Sequence, residues 1–315
     1  MQNHSSTLIV LSLLLLALLA TFTVECTSNG NNKKDVIVLV HGAWHKSTIW
    51  SETVRILEKD YEVEAIVTVN LPGRMENEHK CSAPLSPQDI GPLAGYYAQF
   101  QLITHTTKLK EVIDSVRNMG NVHVVGHSMG GAYLQNALAT INTTGIKTAV
   151  FSSSYLTKPG RSILEYTQLD PEINELIRNL VIPFENSPML CVNTGNASAL
   201  FYDNRCNGEA AAVADLVYEP SIPIVTPLAN NLASLRMDQY YVRTLQDRAL
   251  PLKTQNTIIS EQLALGNRRL KVVDMTGGHT PQLCKAQQYS KLLANLFKLK
   301  KKKKNNNNSG RAIKN

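Results

Sequence analysis

The segment Gly126-His127-Ser128-Met129-Gly130 lies directly between a strand-like apolar run, 121–125, and a helix-like run, 131–138. A serine at such a strand-to-helix turn stands above the end of a sheet. The flanking glycines tolerate the strained backbone and allow the strand and helix to pack closely. The pattern therefore predicts that Ser128 is a nucleophile.

A serine hydroxyl is a poor nucleophile unless a general base accepts its proton. The downstream sequence offers one candidate. A strand-like segment, 269–275, leads into Thr276-Gly277-Gly278-His279-Thr280-Pro281, a glycine-rich loop just before the last helix. We therefore predict that His279 is the base.

The base in turn needs a carboxylate that orients it. The strand-like segment 239–245 is followed by Gln246-Asp247-Arg248, so Asp247 lies in a loop past a strand end. Asp274 is a second carboxylate nearby, but it lies within a strand. Asp247 is therefore the predicted third member of a triad in the chain order Ser, Asp, His.

The apolar run 35–40 is typical of a strand buried on both faces of a parallel sheet, and it ends in His41-Gly42-Ala43-Trp44-His45. A backbone amide in such a first loop and the amide after the nucleophile can together bind an oxyanion. We therefore expect the N–H groups of Ala43 and Met129 to form an oxyanion hole. Trp44 and His45 are candidates for lining the substrate pocket.

These motifs resemble one branch of the α/β-hydrolase superfamily over about residues 35–297. The branch holds the methyl salicylate and methyl jasmonate esterases, the hydroxynitrile lyases and related microbial esterases. By resemblance, Ser128, Asp247 and His279 occupy the triad positions. The matching segments are HGAWH at 41–45, GHSMGG at 126–131, Ala149-Val150-Phe151, the segment 241–252 and GGHT at 277–280.

Two positions depart from the lyase members of this branch. Those lyases resemble one another in a threonine after the first-loop histidine and a lysine after the catalytic histidine. This chain has Gly42 and Thr280 there. The resemblance therefore implies ester hydrolysis rather than cyanohydrin cleavage.

The order of the predicted elements indicates an α/β fold, with a mostly parallel sheet covered by helices on both faces. We expect strands at 35–41, 62–69, 121–127 and 147–152, and helices at about 47–59, 101–118 and 129–140. The segment from about 155 to 235 contains seven prolines and breaks this alternation. It is predicted to be an inserted cap that forms most of the substrate pocket.

The formal charge of +7 is concentrated at the carboxyl terminus. Residues 298–315 hold eight basic residues and no acidic ones, which leaves 24 Lys and Arg against 25 Asp and Glu elsewhere. A near-neutral body does not support a nucleic-acid surface. The Lys- and Asn-rich stretch 298–315 is predicted to be a disordered tail.

The amino terminus carries an apolar stretch from Leu8 to Val24, which is the length of a signal peptide rather than of a comfortable membrane span. We expect 1–26 to be a signal peptide, with an uncleaved anchor as the alternative, and 27–34 to be a linker. The mature protein is then secreted or in the secretory pathway, without stable membrane insertion.

In an oxidising compartment the four remaining cysteines, Cys81, Cys191, Cys206 and Cys284, suggest disulfides. Three pairings are possible, and Cys191 with Cys206 would close a short loop of the cap. The sequons at Asn142, Asn196 and Asn307 are compatible with glycosylation. No Cys and His spacing resembles a metal site, and no cofactor is expected.

Three functions remain compatible with these motifs. The first is a serine carboxylesterase that acts on a small or medium-sized ester through an acyl-enzyme. The second is a lyase of the hydroxynitrile type. The third is a ligand-binding protein of low turnover on the same scaffold. The sequence leaves the substrate and the oligomeric state open.

Overall fold

The computed structural model describes residues 34–74, 80–82, 85–169, 171–184, 187–202, 206–229 and 231–303. The predicted signal peptide, all of the linker except Lys34, and the sequon at Asn307 lie outside these residues. Within them the strands are β1 (Asp35–Val40), β2 (Ala65–Val69), β3 (Asn121–His127), β4 (Ile146–Ser152), β5 (Val181–Pro183), β6 (Met189–Val192), β7 (Glu219–Pro220), β8 (Asp238–Thr244) and β9 (Leu270–Met275).

A short 3₁₀ helix, Ser47–Trp50, precedes the first α-helix. The helices are α1 (Ser51–Asp60), α2 (Pro87–Tyr97), α3 (Leu102–Val116), α4 (Met129–Leu138), α5 (Ile163–Gln168), α6 (Pro171–Leu180), α7 (Thr194–Phe201), α8 (Glu209–Ala214), α9 (Ile222–Val225), α10 (Leu252–Ala264), α11 (Pro281–Cys284) and α12 (Ala286–Phe297). No helix of the described residues is both long and apolar enough to cross a bilayer.

Six strands form one parallel sheet in the order β2-β1-β3-β4-β8-β9. The chain moves outward from β1 to β2 and then returns to the other side of β1 with β3. In an open α/β sheet, ligands bind beyond the carboxyl ends of the strands where the order reverses. Here that point lies between β1 and β3, which carry the predicted first loop and Ser128.

Helices cover both faces of this sheet. Along β1 the buried residues alternate, so that Val36, Val38 and Val40 join one core and Ile37 and Leu39 join the other. Helices α3, α4 and α10 supply residues to the first core, and α1 and α12 supply the second. The predicted α/β fold with a parallel sheet covered on both faces is confirmed.

The cap, which we define as residues 153–237, lies between β4 and β8. It contains helices α5 to α9 and a small antiparallel sheet in the order β5-β6-β7, which the sequence did not predict. These strands are only two to four residues long. Their proline-interrupted segments carry too little alternation to identify them from sequence.

Two disulfides tie the cap to the rest of the chain. Cys81 is bonded to Cys191 of β6, and Cys206 is bonded to Cys284 of α11. Of the three possible pairings, the structure therefore excludes the one that would join Cys191 to Cys206. Sequence proximity misled because β6 and the segment after α7 pack against different parts of the body.

The sequence predicts a disordered tail from residue 298 onward. This is wrong for residues 298–303, because that stretch makes main-chain hydrogen bonds. The Glu62 amide donates to the Lys300 carbonyl over 2.8 Å, and the Lys302 amide donates to the Asp60 carbonyl over 3.0 Å. Leu299 packs on the core beneath α12. Composition alone missed these main-chain hydrogen bonds, and residues 304–315 lie outside the described part of the chain.

Candidate active site

Ser128 occupies the turn between β3 and α4 and has a positive φ of 53°. The neighbouring glycines are required by close backbone approaches. A Cβ added to Gly126 would lie 2.6 Å from the Gly131 Cα, and one added to Gly130 would lie 2.2 Å from the His41 carbonyl oxygen. The glycines therefore allow a strained turn that lifts Ser128 out of the sheet.

The structure brings Ser128, His279 and Asp247 together from three loops. The Ser128 hydroxyl lies 3.0 Å from Nε2 of His279. Nδ1 of His279 lies 2.9 and 3.1 Å from the two carboxylate oxygens of Asp247. A carboxylate can only accept, so Nδ1 carries the proton and Nε2 is free to accept from Ser128.

Asp247 is buried. Besides its contact with His279, the carboxylate is held by hydrogen bonds from neighbouring groups. It accepts from the Thr244 hydroxyl over 2.9 Å and from the amides of Ala249 and Leu250 over 2.9 and 2.7 Å. The carboxylate is therefore fixed in the orientation that His279 requires.

Asp274, the alternative carboxylate, lies elsewhere. Its two oxygens accept from the Arg243 guanidinium over 2.7 and 2.9 Å on an exposed part of β9. The Arg243 guanidinium lowers the pKa of Asp274. Because its carboxylate is paired away from His279, Asp274 is not part of the candidate site.

Ala43 and Met129 both line the cavity next to Ser128. Within the described residues, neither of their amides donates to another protein group. Gly42 packs directly against the nucleophile, since an added Cβ would lie 2.7 Å from the Ser128 Cβ. Both predicted oxyanion donors are therefore unpaired among the described residues, and both residues line the same cavity as Ser128.

His41 orients the peptide that carries the Ala43 amide. Its Nε2 accepts from the Leu71 amide over 3.1 Å, so its Nδ1 donates to the Gly42 carbonyl over 2.8 Å. Burial lowers the pKa of His41 well below its usual value, which keeps the ring neutral. This contact holds the Gly42 carbonyl, and because the peptide is trans, the Ala43 amide lies on the opposite side of the same peptide.

His45 is not among the residues that line the cavity above Ser128. It is buried behind the first loop, where Nδ1 donates to the Ala43 carbonyl and Nε2 accepts from the Tyr202 hydroxyl, both over 2.7 Å. Burial lowers its pKa to about 4. The sequence could not reveal this turn of the loop, which depends on the position of Tyr202 in the cap.

Trp44 is placed in the cavity lining. Its ring stacks on Phe201 at 6.0 Å between centroids, and Phe201 also lies 5.7 Å from the ring of His279. The cap residue Phe201 therefore forms a wall beside the ring of His279, the candidate base. Sequence reasoning missed it because no local motif marks a cap aromatic that reaches the site.

His127, the residue beside the nucleophile, points away from the cavity. It is completely buried, and its Nε2 donates to the His279 carbonyl over 2.7 Å. Burial lowers its pKa well below the usual value, so it stays neutral. The ring thus holds the backbone of the loop that carries the candidate base.

The cavity above Ser128 has a volume of about 300 Å³. Most of its walls are apolar side chains of the cap, namely Ile163, Leu164, Leu180, Val181, Leu190, Leu200, Phe201, Ile224 and Val225. Besides Ser128 and His279, polar groups are contributed by Tyr155, Thr167, Ser221 and Arg248. Arg248 was missed as a lining residue, although its place directly after Asp247 could have suggested it.

Thr280 lies outside the cavity lining. It is buried, and its hydroxyl donates to the Phe201 carbonyl over 2.5 Å, which connects the loop of His279 to the cap. Gly42 and Thr280 occupy the two positions that distinguish the lyases. Neither of them therefore presents a hydroxyl or an amine to this cavity. Among the described residues no cluster of three His, Cys, Asp or Glu side chains is arranged to hold a metal ion.

A profile of the alpha/beta hydrolase family matches residues 37–290. "Putative methylesterase 11, chloroplastic" of Arabidopsis thaliana is 26% identical over 273 residues, which are 83% of this chain and 64% of that protein. The chain spans only 55% to 64% of the length of the curated Arabidopsis relatives that it matches.

Solved structures show the same fold. A pyrethroid hydrolase from Sphingobium faniae JZ-2 aligns with a TM-score of 0.63 at 18% identity, over 83% of this chain and 96% of that one. Polyneuridine aldehyde esterase aligns with a TM-score of 0.63 at 18% identity, over 84% of this chain and 100% of that one. These structures show the α/β-hydrolase fold, and the profile match confirms the hydrolase family that the sequence motifs predict.

Proposed function

The chain belongs to the alpha/beta hydrolase family, and we propose that it is a serine hydrolase that cleaves carboxylic esters of small or medium-sized molecules. One observation carries the proposal. The hydroxyl of Ser128, at a strained strand-to-helix turn, lies 3.0 Å from a histidine whose other nitrogen is held by a buried carboxylate. This arrangement suits acyl transfer through a covalent intermediate.

In the first half-reaction, Nε2 of His279 accepts the Ser128 proton while the serine oxygen attacks the ester carbonyl carbon. The carbonyl oxygen becomes an oxyanion that the Ala43 and Met129 amides bind. Asp247 stabilises the imidazolium that forms. His279 then gives its proton to the departing alcohol, which leaves an acyl-enzyme on Ser128.

In the second half-reaction, water replaces the alcohol. His279 accepts a proton from the water as it attacks the acyl carbonyl, and the same two amides bind the second oxyanion. The proton returns to the Ser128 oxygen as the acid leaves. Each step uses groups that the site already holds in position, so no cofactor is needed in this scheme.

The cavity favours esters with apolar acyl or alcohol groups. Apolar side chains form most of its surface, and their contact with an apolar substrate group is stabilised by about 25 cal/mol per Å² of buried surface. A volume of about 300 Å³ is at the small end for ligand cavities. Short to medium acyl chains and single aromatic rings therefore fit best.

The disulfides also bear on the cellular compartment of the protein. Two disulfides connect described parts of the chain, and disulfides persist in oxidising compartments. We infer that the protein is secreted or enters the secretory pathway. Asn142 is exposed, and its side-chain oxygen accepts from the Thr144 amide over 2.9 Å in a surface loop, so it is an accessible glycosylation site.

The test is a panel of p-nitrophenyl esters of increasing acyl length, with a methyl ester and mandelonitrile alongside. We expect hydrolysis that falls with acyl length and no cyanide release above background. Ser128→Ala should retain the fold and lose about 10⁴-fold or more in turnover. A fluorophosphonate probe should label Ser128 alone. An active Ser128→Ala variant, or cyanide release that matches ester turnover, would refute the assignment.

A further inference from the structure

Trp44 has an unusual backbone for its residue type. Its φ is +58°, in the left-handed region that a bulky side chain adopts at a cost. It directly follows Ala43, whose amide is a proposed oxyanion donor. Strained residues persist only where their surroundings hold them, and they concentrate at functional sites. The contacts that hold Trp44 therefore fix the loop directly after the peptide of the Ala43 amide, which His41 holds from the other side.

Both peptide groups of Trp44 are held by one segment of the cap. The Trp44 amide donates to Oε2 of Glu219 over 2.8 Å, and the Trp44 carbonyl accepts from the Val217 amide over 2.9 Å. The first contact fixes the peptide before the Trp44 Cα and the second fixes the peptide after it. Together they determine φ and ψ, so the cap imposes the left-handed conformation.

Glu219 is itself locked by Arg74. The two side chains form an ion pair and are both completely buried. The Arg74 guanidinium also donates to the carbonyls of His45 and Tyr218 over 3.2 and 2.9 Å. One cation thus connects the acceptor of the Trp44 amide, the first loop and the cap strand.

A buried ion pair is weak support for stability, because desolvation of the two charges opposes their attraction. The proposed ester hydrolysis does not use the Arg74–Glu219 pair in any chemical step. The carboxylate Oε1 of Glu219 has no hydrogen-bond partner among the described residues, whereas Oε2 accepts from both Trp44 and Arg74. Arg74 therefore holds the same carboxylate oxygen that accepts from the Trp44 amide.

We propose that Glu219 is a positioning residue, which holds Trp44 in the left-handed conformation and thereby aims the Ala43 amide into the oxyanion hole. The oxyanion hole is then complete only when the cap packs against the first loop. This inference rests on the proposed function, since it assigns Glu219 to the same site.

The test replaces the ion pair by apolar side chains of similar length in Arg74→Met/Glu219→Met. Such replacements usually leave a protein folded, but here the Trp44 amide loses its acceptor. We expect kcat for a short p-nitrophenyl ester to fall about 10- to 100-fold with KM within threefold, because removal of one oxyanion donor costs about 10² to 10³. Labelling of Ser128 by a fluorophosphonate should slow in parallel.

Two further variants keep the test decisive. Glu219→Gln retains an acceptor oxygen and should keep kcat within a few-fold of the wild type. Val217→Pro leaves the ion pair intact but removes the donor to the Trp44 carbonyl, and it should lower kcat like the double variant. The matched control is Arg161→Met/Glu261→Met, a cap-to-body ion pair at 2.9 Å that does not contact the first loop. It should leave kcat unchanged.

The outcomes separate the two proposals. If the wild type hydrolyses esters and a folded Arg74→Met/Glu219→Met or Val217→Pro variant matches its kcat and labelling rate, the role of Glu219 is refuted alone. A loss in the control pair of the same size also refutes it. If the wild type neither hydrolyses any ester nor reacts with the probe, the proposed function fails and this role fails with it.

Discussion

Val40, the last residue of β1, is the register partner of Gly126 in β3. The loop after β1 and the turn that carries Ser128 therefore start side by side at the same edge of the sheet. This pairing places Gly42 against the serine and leaves no room for a side chain between them. The first loop and Ser128 therefore pack as one unit.

Gly42→Ala should therefore impair the site. The new Cβ would lie 2.7 Å from the Ser128 Cβ and 3.1 Å from Nδ1 of His127, so either the serine or the loop must move. We expect ester turnover to fall about 100-fold or more, as expected when an oxyanion donor or the nucleophile is misplaced. Steady-state kinetics checks this.

The matched control is Gly91→Ala, because no atom lies within 4 Å of a Cβ added to that helical glycine. Its turnover should equal that of the wild type. Equal activity in the two variants would mean that the first loop does not pack on Ser128 as the structure has it.

Asp247→Asn should leave the fold intact and lower turnover about 10³- to 10⁴-fold, because the amide cannot hold His279 in the tautomer that accepts from Ser128. Asp274→Asn removes a carboxylate that pairs with Arg243 on the surface, and it should have little effect. Comparison of kcat for the two variants is the measurement. The reverse order would move the role to Asp274.

Acid should destabilise the fold through His45. Its pKa is about 4 in the folded protein and about 6.5 in the unfolded chain, so the unfolded state binds more protons between these values. The free energy of unfolding should therefore fall by about 3 kcal/mol from this group as the pH drops from 7 to 4. As the pH rises above 6.5, the pH dependence from this group fades, because His45 is then neutral in both states.

Urea unfolding at pH 7, 5.5 and 4 checks the prediction for the wild type and His45→Gln. Glutamine can still donate to the Ala43 carbonyl but does not titrate in this range. The variant should lose part of the acid sensitivity, and the remainder comes from other buried histidines such as His105, whose pKa is also about 4. Parallel pH curves for the two proteins would contradict the assignment.

The disulfide pairs are directly measurable. Peptide mapping without reduction should find Cys81 joined to Cys191 and Cys206 joined to Cys284, with no peptide that joins Cys191 to Cys206. Cys206→Ser/Cys284→Ser should lower the free energy of unfolding by about 4 kcal/mol on the chain-entropy estimate for a loop of this size. An unchanged melting temperature would argue that this bond does not form.

The local parts of the site were predictable because each is encoded in a short segment. Ser128 was recognised from the glycines that its strained turn requires, and His279 from the glycine loop that follows a strand. Asp247 was separable from Asp274 because a loop past a strand end can reach the site, whereas a side chain within an exposed strand does not. The parallel sheet followed from buried apolar runs that alternate with helices.

The long-range contacts of the cap could not be predicted from the sequence. The first loop is contacted by Phe201, Tyr202 and Glu219, which lie about 160 to 175 residues further along the chain. Hydrophobic periodicity does not encode such long-range contacts. His45 shows the consequence, because the sequence suggested a pocket residue and the structure turned the ring toward Tyr202. Composition likewise missed the main-chain hydrogen bonds that order residues 298–303.

Strand periodicity, turn glycines and chain order are local properties, so the sequence alone indicates the fold class, the family and three candidate catalytic side chains. The disulfide pairing, the walls of the cavity and the contacts that hold Trp44 in a left-handed conformation are visible only in the folded chain. Those features depend on how the cap packs against the loops at the sheet edge. That packing is a sum of many weak long-range contacts, and no short segment of the chain contains it.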